Sequence, residues 1–302
     1  MSAFDNIIWA VDPFESNSKP IQRALKAIYT LAAAQTTLHA LYANARAALY
    51  FEKGEVPKKS TFFKDAEKGL LAIAKMAKGL KVKSHVLIGR GGNDVDLLLT
   101  EAHKLKADVI VAAGHARGML LRMVLGSFTE ALLLKSKLPV LIVNPSANPT
   151  GKRVKRVLFP TDLGSATHSA FKQLLRYAKL GGWHITLLHV MDEPLVMVDS
   201  GDPYVTPLFV PINDSDSRTR QRSDLFDWQA EARKAHVTCT LKVPRKAIDP
   251  TKAVLSEATG ERYELVVLSS TGKIKGIDLA GSRTRRIVRD AKIPLLVVKG
   301  KN

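Results

Sequence analysis

Short apolar runs alternate along this chain with longer segments in which apolar residues recur at helical spacing. In the first half, runs near 5–11, 37–43, 82–88, 108–113 and 140–144 have the length and the Val/Ile/Leu content of strands buried on both faces. Between them, Ile21, Leu25, Ile28 and Ala32 mark the buried stripe of a first helix with Pro20 in its first turn. This alternation predicts βαβ units, joined by right-handed crossovers, around a doubly wound parallel sheet.

The pattern then repeats. The segment from Asp5 to Asp12 matches the segment from Lys155 to Asp162 at an offset of 150, each with a polar pair, an apolar run and a final Asp. The second half has expected strands near 155–161, 184–190, 237–243, 264–269 and 294–299, and Phe171, Leu174, Leu175 and Ala178 form the stripe of its first helix. We therefore predict a tandem duplication, with domains at 1–147 and 152–302 and a Pro/Gly/Ser-rich link between them. The segment from Glu193 to about Arg222 lacks periodicity and is predicted to be a long polar loop before a helix at about 224–235.

Composition and charge narrow the class of protein to which the chain can belong. The 302 residues are 46% hydrophobic and 25% charged, which indicates a folded protein, and a single cysteine, Cys239, excludes an intramolecular disulfide. With no signal peptide or long apolar run in view, we expect a cytoplasmic protein without membrane association. The net charge of +18 divides into +8 for residues 1–150 and +10 for the remainder. Because these charges are scattered and aromatic residues are few, a solvated basic surface is favoured and nucleic-acid binding is not expected.

Ligands of doubly wound sheets bind beyond the carboxyl ends of the strands, where strand order reverses. Asp12 and Asp162 end the first strand of each half, where each could bind a ligand or cap the following helix. After the fourth strands come small-residue loops that begin at Ala113 and Ser269, and each loop precedes a Gly-Ser pair that opens a helix. Such loops either converge on an anion such as polyphosphate or are small because the chain turns tightly there.

At these residues the chain resembles the universal stress protein family over nearly all of both halves. The resemblance rests on Phe159-Pro160-Thr161-Asp162, on Leu188-His189-Val190, on Gly281-Ser282 and on the final apolar strand at 294–298. It implies two five-stranded parallel domains of strand order 3-2-1-4-5, and a subset of the family binds ATP through an Asp after strand one, backbone after strand two and a Gly-x2-Gly-x9-Gly-Ser loop. In domain 2 the corresponding residues are Asp162, Val190, Ser269, Ser270, Gly272, Gly281, Ser282 and Arg283; in domain 1 they are Asp12, Ala113, Gly114, His115, Gly126 and Ser127.

Both copies of the loop motif depart from the family pattern. Domain 1 has Ala113 and Ala116 in place of the first two glycines, and domain 2 has Ser269 for the first glycine and one residue fewer before Gly281. The two added methyl groups in domain 1 oppose a close approach of backbone to phosphate. Domain 2 is the favoured site, because its adenine-side pattern is fuller. The residue of domain 1 that corresponds to Val190, at the end of the second strand, is Leu41, Tyr42 or Ala43.

The leading hypothesis is a tandem stress-response protein that binds adenine nucleotide, namely ATP with or without Mg²⁺, and regulates an unknown protein partner. No catalytic constellation is present in the sequence, so an enzyme is not expected, although weak ATP hydrolysis stays open. The alternative is an interaction protein of the same fold whose pockets have lost nucleotide, and nucleic-acid binding is a third. The resemblance also implies that the last strands, at Val140–Val143 and Leu295–Val298, pair the two halves as an internal pseudo-dimer, and it leaves a homodimer of the whole chain open.

Two further motifs are interpreted structurally. Gly89-Arg90-Gly91-Gly92-Asn93-Asp94 lacks the Gly-Lys-Ser ending of a P-loop and is predicted to be the turn before a helix that starts near Asn93 or Asp94. Cys239 is interpreted as a small apolar strand residue without a redox role.

Overall fold

A computed structural model describes residues 3–15, 18–51, 57–113, 127–190, 195–198, 208–211, 215–244, 249–259, 262–270 and 282–300. Within these residues the strands are β1 Asn6–Ala10, β2 Thr37–Asn44, β3 Lys81–Ile88, β4 Val109–Ala113, β5 Val140–Val143, β6 Arg156–Thr161, β7 His184–His189, β8 Leu195–Val198, β9 Leu208–Pro211, β10 Cys239–Lys242, β11 Leu265–Ser270 and β12 Leu295–Lys299. The helices are α1 Lys19–Leu31, α2 Thr61–Met76, α3 Asp94–Lys104, α4 Ser127–Lys135, α5 Ser165–Gly181, α6 Ser215–Lys234, α7 Pro250–Glu257 and α8 Ser282–Asp290.

Ten strands form one sheet in the order β10-β7-β6-β11-β12-β5-β4-β1-β2-β3. Each half of this order is a parallel 3-2-1-4-5 arrangement, as the resemblance implied, and all ten predicted strands are present within two residues of their expected bounds. The doubly wound prediction is therefore confirmed in both halves.

The two halves meet where β5 and β12 pair in antiparallel orientation, with Leu141 opposite Leu296. Polar side chains reinforce this junction from both sides. The Asn144 amide, just after β5, donates to the carbonyls of Val288 and Ala291 at the end of α8. Lys299 Nζ, at the end of β12, donates to the carbonyls of Leu134 and Ser136 at the end of α4, at 2.6 and 3.0 Å. Each half thus satisfies carbonyls at the end of the other half's last helix, where a helix has no partners of its own for them.

Helices cover both faces of the sheet. One face is covered by α1, α2, α5 and α6, and its apolar core runs without a break from Trp9 and Ile28 in the first half to Phe171 and Trp228 in the second. The opposite face is covered by α3, α4, α7 and α8. The predicted stripes of α1 and α5 are buried here, because their apolar positions recur once per helical turn.

The segment predicted to be a long polar loop is different in the structure. The strands β8 and β9 pair as an antiparallel hairpin, and α6 begins at Ser215, well before the expected start near Asp224. The first two turns of α6 are polar in sequence at every position, so no apolar period revealed them. Short runs such as Leu195–Val198 are also too brief for periodicity to separate strand from loop.

Candidate functional site

The carboxyl ends of β6 and β11 separate in domain 2. Among the described residues only two pairs join these strands, Val157 with Leu265 and Leu158 with Val266, although both strands run on for several residues. Pro160 lies in this stretch of β6 and has no amide hydrogen to give to a ladder. Strand order reverses between β6 and β11, so the opening lies where doubly wound sheets bind ligands. We call this opening the domain 2 crevice.

Asp162 lies at the mouth of the domain 2 crevice, directly after β6. Its Oδ1 accepts hydrogen bonds from the Gly164 amide at 3.0 Å and from the Thr167 hydroxyl at 2.6 Å. Leu163 has a φ of 61°, a left-handed conformation that tightens the turn. Asp162 is exposed, and within the described part of the chain its hydrogen bonds all reach Oδ1. The carboxylate is thus fixed through one oxygen, which leaves Oδ2 for a ligand.

The strand on one side of β6 brings a second predicted residue to this edge. Val190 directly follows β7. Because Thr161 pairs with His189, the next position along each strand places Val190 beside Asp162. The register thus brings Val190 to the same end of the sheet as Asp162.

The strand on the other side of the crevice ends in two predicted residues, Ser269 and Ser270. Ser269 Oγ donates to the Ala166 carbonyl at 3.3 Å, in the first turn of α5. The Ser270 carbonyl accepts from the Gly300 amide at 2.9 Å, after β12. The end of β11 is therefore tied to both neighbouring elements, which fixes that wall of the crevice.

The resemblance gave His189 no role of its own. In the structure His189 stabilises the edge of the sheet at which Asp162 lies. Its Nδ1 lies 2.9 Å from the Thr161 carbonyl and its Nε2 lies 3.1 Å from Gln221 Oε1 of α6. The imidazole is buried, so it connects the end of β6 to α6 next to Asp162. The sequence placed His189 in the motif, but Gln221 lies in a part of α6 that the polar pattern concealed.

The corresponding edge of domain 1 is closed. The strands β1 and β4 pair over four residues, from Ile7 with Val109 to Ala10 with Ala112. The predicted residue Ala113 continues β4 directly. The ladder thus runs to the end of β1, and no separation like that of the domain 2 crevice forms here.

The two predicted aspartates make the same local turn. Asp12 Oδ1 accepts from the Phe14 amide at 3.0 Å, as Asp162 Oδ1 does from the Gly164 amide. In neither half is the Asp the N-cap residue, since Ser18 precedes α1 and Gly164 precedes α5. The interpretation of these residues as caps is therefore wrong for α1 and α5, although Asp12 directly precedes a short 3-10 helix at Pro13–Glu15 and accepts a hydrogen bond from the amide of its Phe14.

Aromatic rings cover the domain 1 edge. The ring of Phe14 lies 5.7 Å from those of Tyr42 and Phe62, between β1, β2 and α2. Ala10 pairs with Leu41, so two positions further along Asp12 lies beside Ala43. Of the three candidates for the second-strand residue, Ala43 is therefore the positional equivalent of Val190.

The small-residue loops fall outside the described residues. The predicted contacts Gly114, His115, Gly126, Gly272 and Gly281 lie there, and the side chains of Ser282 and Arg283 are also outside the description. Within the described residues α4 runs from Ser127 and α8 from Ser282, so both residues are helical.

Beyond this start of α8, Arg286 faces a carboxylate. Its Nη1 lies 3.5 Å from Asp249 Oδ2. The Thr251 amide, which donates to Asp249, holds the pKa of that carboxyl below its usual range. Arg286 is therefore opposite a negative charge of the protein itself.

Two remaining motifs have a structural explanation. Asn93 caps α3 by accepting the Val95 amide at 2.8 Å, and Gly89 packs so closely on Ala45 that a Cβ would lie 2.8 Å from its carbonyl oxygen. The glycine-rich stretch is thus a helix-entry turn, as predicted.

Burial raises the pKa of the half-buried Cys239 thiol to about 12, so it is protonated at neutral pH.

Comparisons with known proteins agree with this fold. The model of the universal stress protein family matches residues 3–144 and again 153–299. A universal stress protein from Archaeoglobus fulgidus is 15% identical with a TM-score of 0.59, over 99% of this chain and 97% of that one. A protein of unknown function from Pseudomonas aeruginosa PAO1 is 15% identical with a TM-score of 0.60, over 99% and 93%.

About half of the chain is also similar to a universal stress protein from Archaeoglobus fulgidus in complex with dAMP. The sequence identity is 14%, the match covers 49% of this chain and 98% of that one, and the TM-score is 0.35. No curated protein sequence matches the chain. No helix among the described residues is long and apolar enough to cross a membrane. The two family matches together span nearly the whole sequence, and the chain belongs to the universal stress protein family, with two copies of the family domain in tandem.

Proposed function

We propose that this protein binds an adenine nucleotide, ATP in the first instance, in the domain 2 crevice and that nucleotide occupancy regulates its interaction with a protein partner during stress. The observation that carries the proposal is the separation of β6 from β11 beside a carboxylate that is fixed through one oxygen. A carboxylate at this position can accept hydrogen bonds from a ribose hydroxyl or an exocyclic amine.

The described residues fit the adenosine side of such a ligand. Asp162 supplies an acceptor, Val190 supplies main-chain groups beside it, and Ser269 and Ser270 end the strand on the opposite side of the crevice. The phosphate side belongs to residues 271–281, outside the described part of the chain, where Gly272 and Gly281 stay predicted contacts. A Mg²⁺ ion would bind with the phosphates and is part of the same proposal.

Domain 1 supports a different role. Its switch point is closed by the four-residue ladder between β1 and β4, and Phe14 and Tyr42 pack over the adjoining edge. For domain 1 these contacts favour the alternative, a nucleotide-free domain that serves interaction. We expect no catalytic turnover by either half, with hydrolysis of ATP absent or slow.

The two halves would act as one unit in this account. The pairing of β5 with β12 and the hydrogen bonds from Asn144 and Lys299 support an internal pseudo-dimer in which domain 1 takes the place of a second subunit. A cytoplasmic location is part of the proposal, since ATP is abundant there and Cys239 is a free thiol.

The test is calorimetric titration of the full chain with ATP, comparing Asp162→Asn with the matched variant Asp12→Asn. Both changes keep one oxygen for the local turn and replace the other with an amide NH2 group, which removes the charge and the second acceptor. Loss of a hydrogen bond to a charged group costs about 1.5–3 kcal/mol, so Asp162→Asn should weaken ATP about tenfold or more while Asp12→Asn stays within about threefold of the parent. Absence of saturable binding at millimolar ATP would leave the interaction-protein alternative in its place.

A further inference from the structure

The net charge of the chain is concentrated in two segments. Residues 16–51 and 131–191 together contain thirteen Lys and Arg residues and a single carboxylate, Asp162. The rest of the chain therefore has a net charge of only +6. The nearly equal charges of the two halves, +8 and +10, do not reveal this concentration, because each half contains most of one of the two segments.

The fold brings α1, the link and α5, which belong to these segments, together on one side of the molecule. The helices α1 and α5 lie on the same face of the sheet, and the link between the domains runs along α1, where the Val154 amide donates to the Thr30 carbonyl at 2.9 Å. Gly151 of the link lies against the side chain of Lys26. Near the end of α5, the ring of Tyr177 lies 5.0 Å from that of Phe4 in the first half. Residues far apart in sequence thus form one surface over the domain junction.

Basic side chains recur on this surface at helical spacing. Three basic residues in α1 stand at positions i, i+4 and i+7, and three in α5 stand at the same spacing. Each set therefore lies along one side of its helix over about 10 Å. Two more basic residues, both exposed, lie on the link. We define the basic face by these eight residues: Lys19, Arg23, Lys26, Lys152, Arg153, Lys172, Arg176 and Lys179.

Few carboxylates in the described part of the chain pair with the basic face. Among the described residues, its one ion pair is between Lys172 and Glu231 of α6, at 4.0 Å, which is the limit for such a contact. By contrast, basic residues elsewhere form close pairs, as Arg156 does with Glu264 at 2.9 Å and Lys135 with Asp96 at 2.7 Å. The positive charge of the basic face is therefore available to an external anion.

Against the expectation from a scattered charge, we propose that the basic face binds the phosphate backbone of a nucleic acid without regard to base sequence. Lys and Arg residues in rows match a ligand with regularly spaced negative charges, and the positive potential of such a surface guides its approach. The eight residues that define the face are all Lys or Arg, and its helices lie flat on the protein core. Contacts to phosphate are therefore the contacts it can make.

An anionic membrane fits this surface less well. Helices that bind membranes insert an apolar face among the lipid headgroups, whereas α1 and α5 bury theirs in the core of the protein. Of the large exposed hydrophobic residues in the described part of the chain, only Leu180 belongs to α1 or α5.

The test measures binding of the full chain to a fluorescent duplex of arbitrary sequence, about two helical turns long, by anisotropy at salt concentrations from about 50 to about 200 mM. The test variant is the triple change Lys26→Gln, Arg153→Gln and Arg176→Gln. The matched control is Lys64→Gln, Lys68→Gln and Lys75→Gln, which removes three exposed charges from α2 on the same face of the sheet.

For the parent protein we expect binding that weakens steeply with salt. Each lost phosphate contact reduces the slope of log affinity against log salt by about 0.9, so the test variant should lose about 2 to 3 units of slope. At the lowest salt its affinity should fall about tenfold or more, and the control should stay within about twofold. Circular dichroism melts identify any variant that fails to fold, in which case Arg153→Gln alone, on the link, replaces the triple change and should lose about one unit of slope.

Three results would overturn the proposal. The first is no binding of duplex by the parent protein at the lowest salt. The second is an equal loss in the α2 control, which would indicate attraction by overall charge. The third is failure to bind duplex together with sedimentation on vesicles of phosphatidylcholine and phosphatidylglycerol that the test variant abolishes, which would identify a membrane partner instead.

Discussion

The paired imidazoles of His39 and His85 form a polar contact in domain 1 for which the nucleotide hypothesis has no use. His39 Nδ1 lies 3.0 Å from His85 Nε2 between β2 and β3, where one nitrogen donates and the other accepts. Burial, then the nearby His85 and Lys83, lower the pKa of His39 to about 4, and Glu101 of α3 opposes this shift weakly. The pKa of His85 is lowered for the same main reason.

This pair predicts acid sensitivity. The unfolded chain binds a proton at His39 near pH 6.5, while the folded chain resists it down to about pH 4, so the free energy of unfolding should fall as pH drops through that window. One pKa unit corresponds to about 1.4 kcal/mol, and solvent near the pair reduces the effect, so the loss is on the order of 2–3 kcal/mol.

Urea unfolding at neutral pH and again near the lower end of that window measures the loss. The variant His39→Gln should have a flatter pH dependence than the parent, and the exposed control His103→Gln should not. An unchanged slope in His39→Gln would contradict the assignment.

At the residue scale, the sequence predicted positions better than partners. Asp12 and Asp162 follow their strands as expected, because an apolar run that ends in Asp is visible in one dimension. The hydrogen bond from Thr167 to Asp162 and the contact of His189 with Gln221 were not predictable, since each depends on where a helix packs in space.

The elements show how close packing can reverse a local preference. Gly69 lies in the middle of α2, where glycine is about 1 kcal/mol less favourable than alanine. A Cβ at this position would overlap the carbonyl oxygen of Pro13, which is backbone and cannot move away cheaply. The glycine therefore permits α2 to lie directly on the turn that follows β1 and presents Phe14.

We expect Gly69→Ala to destabilise the protein by about 1–3 kcal/mol, the usual cost of forcing atoms into a packed contact, despite the gain in helix propensity. The matched change Lys75→Ala, at an exposed position of the same helix, should change stability by less than about 0.5 kcal/mol. Both are read from the midpoint of urea unfolding. A stabilised Gly69→Ala variant would mean that α2 does not approach Pro13 so closely.

Helices and strands with a strong apolar periodicity were predictable from the sequence. The elements without such a periodicity, the start of α6 and the hairpin of β8 and β9, were not. The stripes of α1 and α5 are visible because their buried positions recur every turn. The start of α6 was not visible, since its first turns are polar at every position and only Leu225, Trp228 and Ala232 are buried further along. The hairpin of β8 and β9 depends on pairing between two short, separated runs, which no local pattern specifies.

The whole molecule is built around the junction between its halves. Beyond the paired backbones of β5 and β12, Asn144 and Lys299 donate to the end of the last helix of the opposite half. Burial lowers the pKa of Lys299, which indicates that its ammonium group is partly removed from water and depends on its two carbonyl partners. The tandem repeat was visible in the sequence, whereas these reciprocal contacts join residues from opposite halves of the chain and required the fold.

Removal of one of these donors should weaken the junction. In Asn144→Ala the carbonyls of Val288 and Ala291 lose their donor, and leaving such groups unsatisfied costs about 1–3 kcal/mol each. We expect a lower midpoint of thermal unfolding and separate transitions for the two halves in calorimetry. The exposed neighbour Asn148→Ala is the control, because its hydrogen bond to Lys292 is made by the backbone amide and survives the change. A single unshifted transition in Asn144→Ala would show that these contacts contribute little.

The central claim, nucleotide binding in the domain 2 crevice, is tested most directly by a crystal structure of the full chain grown with millimolar ATP. The account predicts ligand density between the ends of β6 and β11, with the adenosine side within hydrogen-bond distance of Asp162 and the phosphates toward Gly272 and Ser282. Two results would contradict the account. One is ligand density beside Asp12 with none beside Asp162, and the other is well-ordered protein around both aspartates with no nucleotide at either.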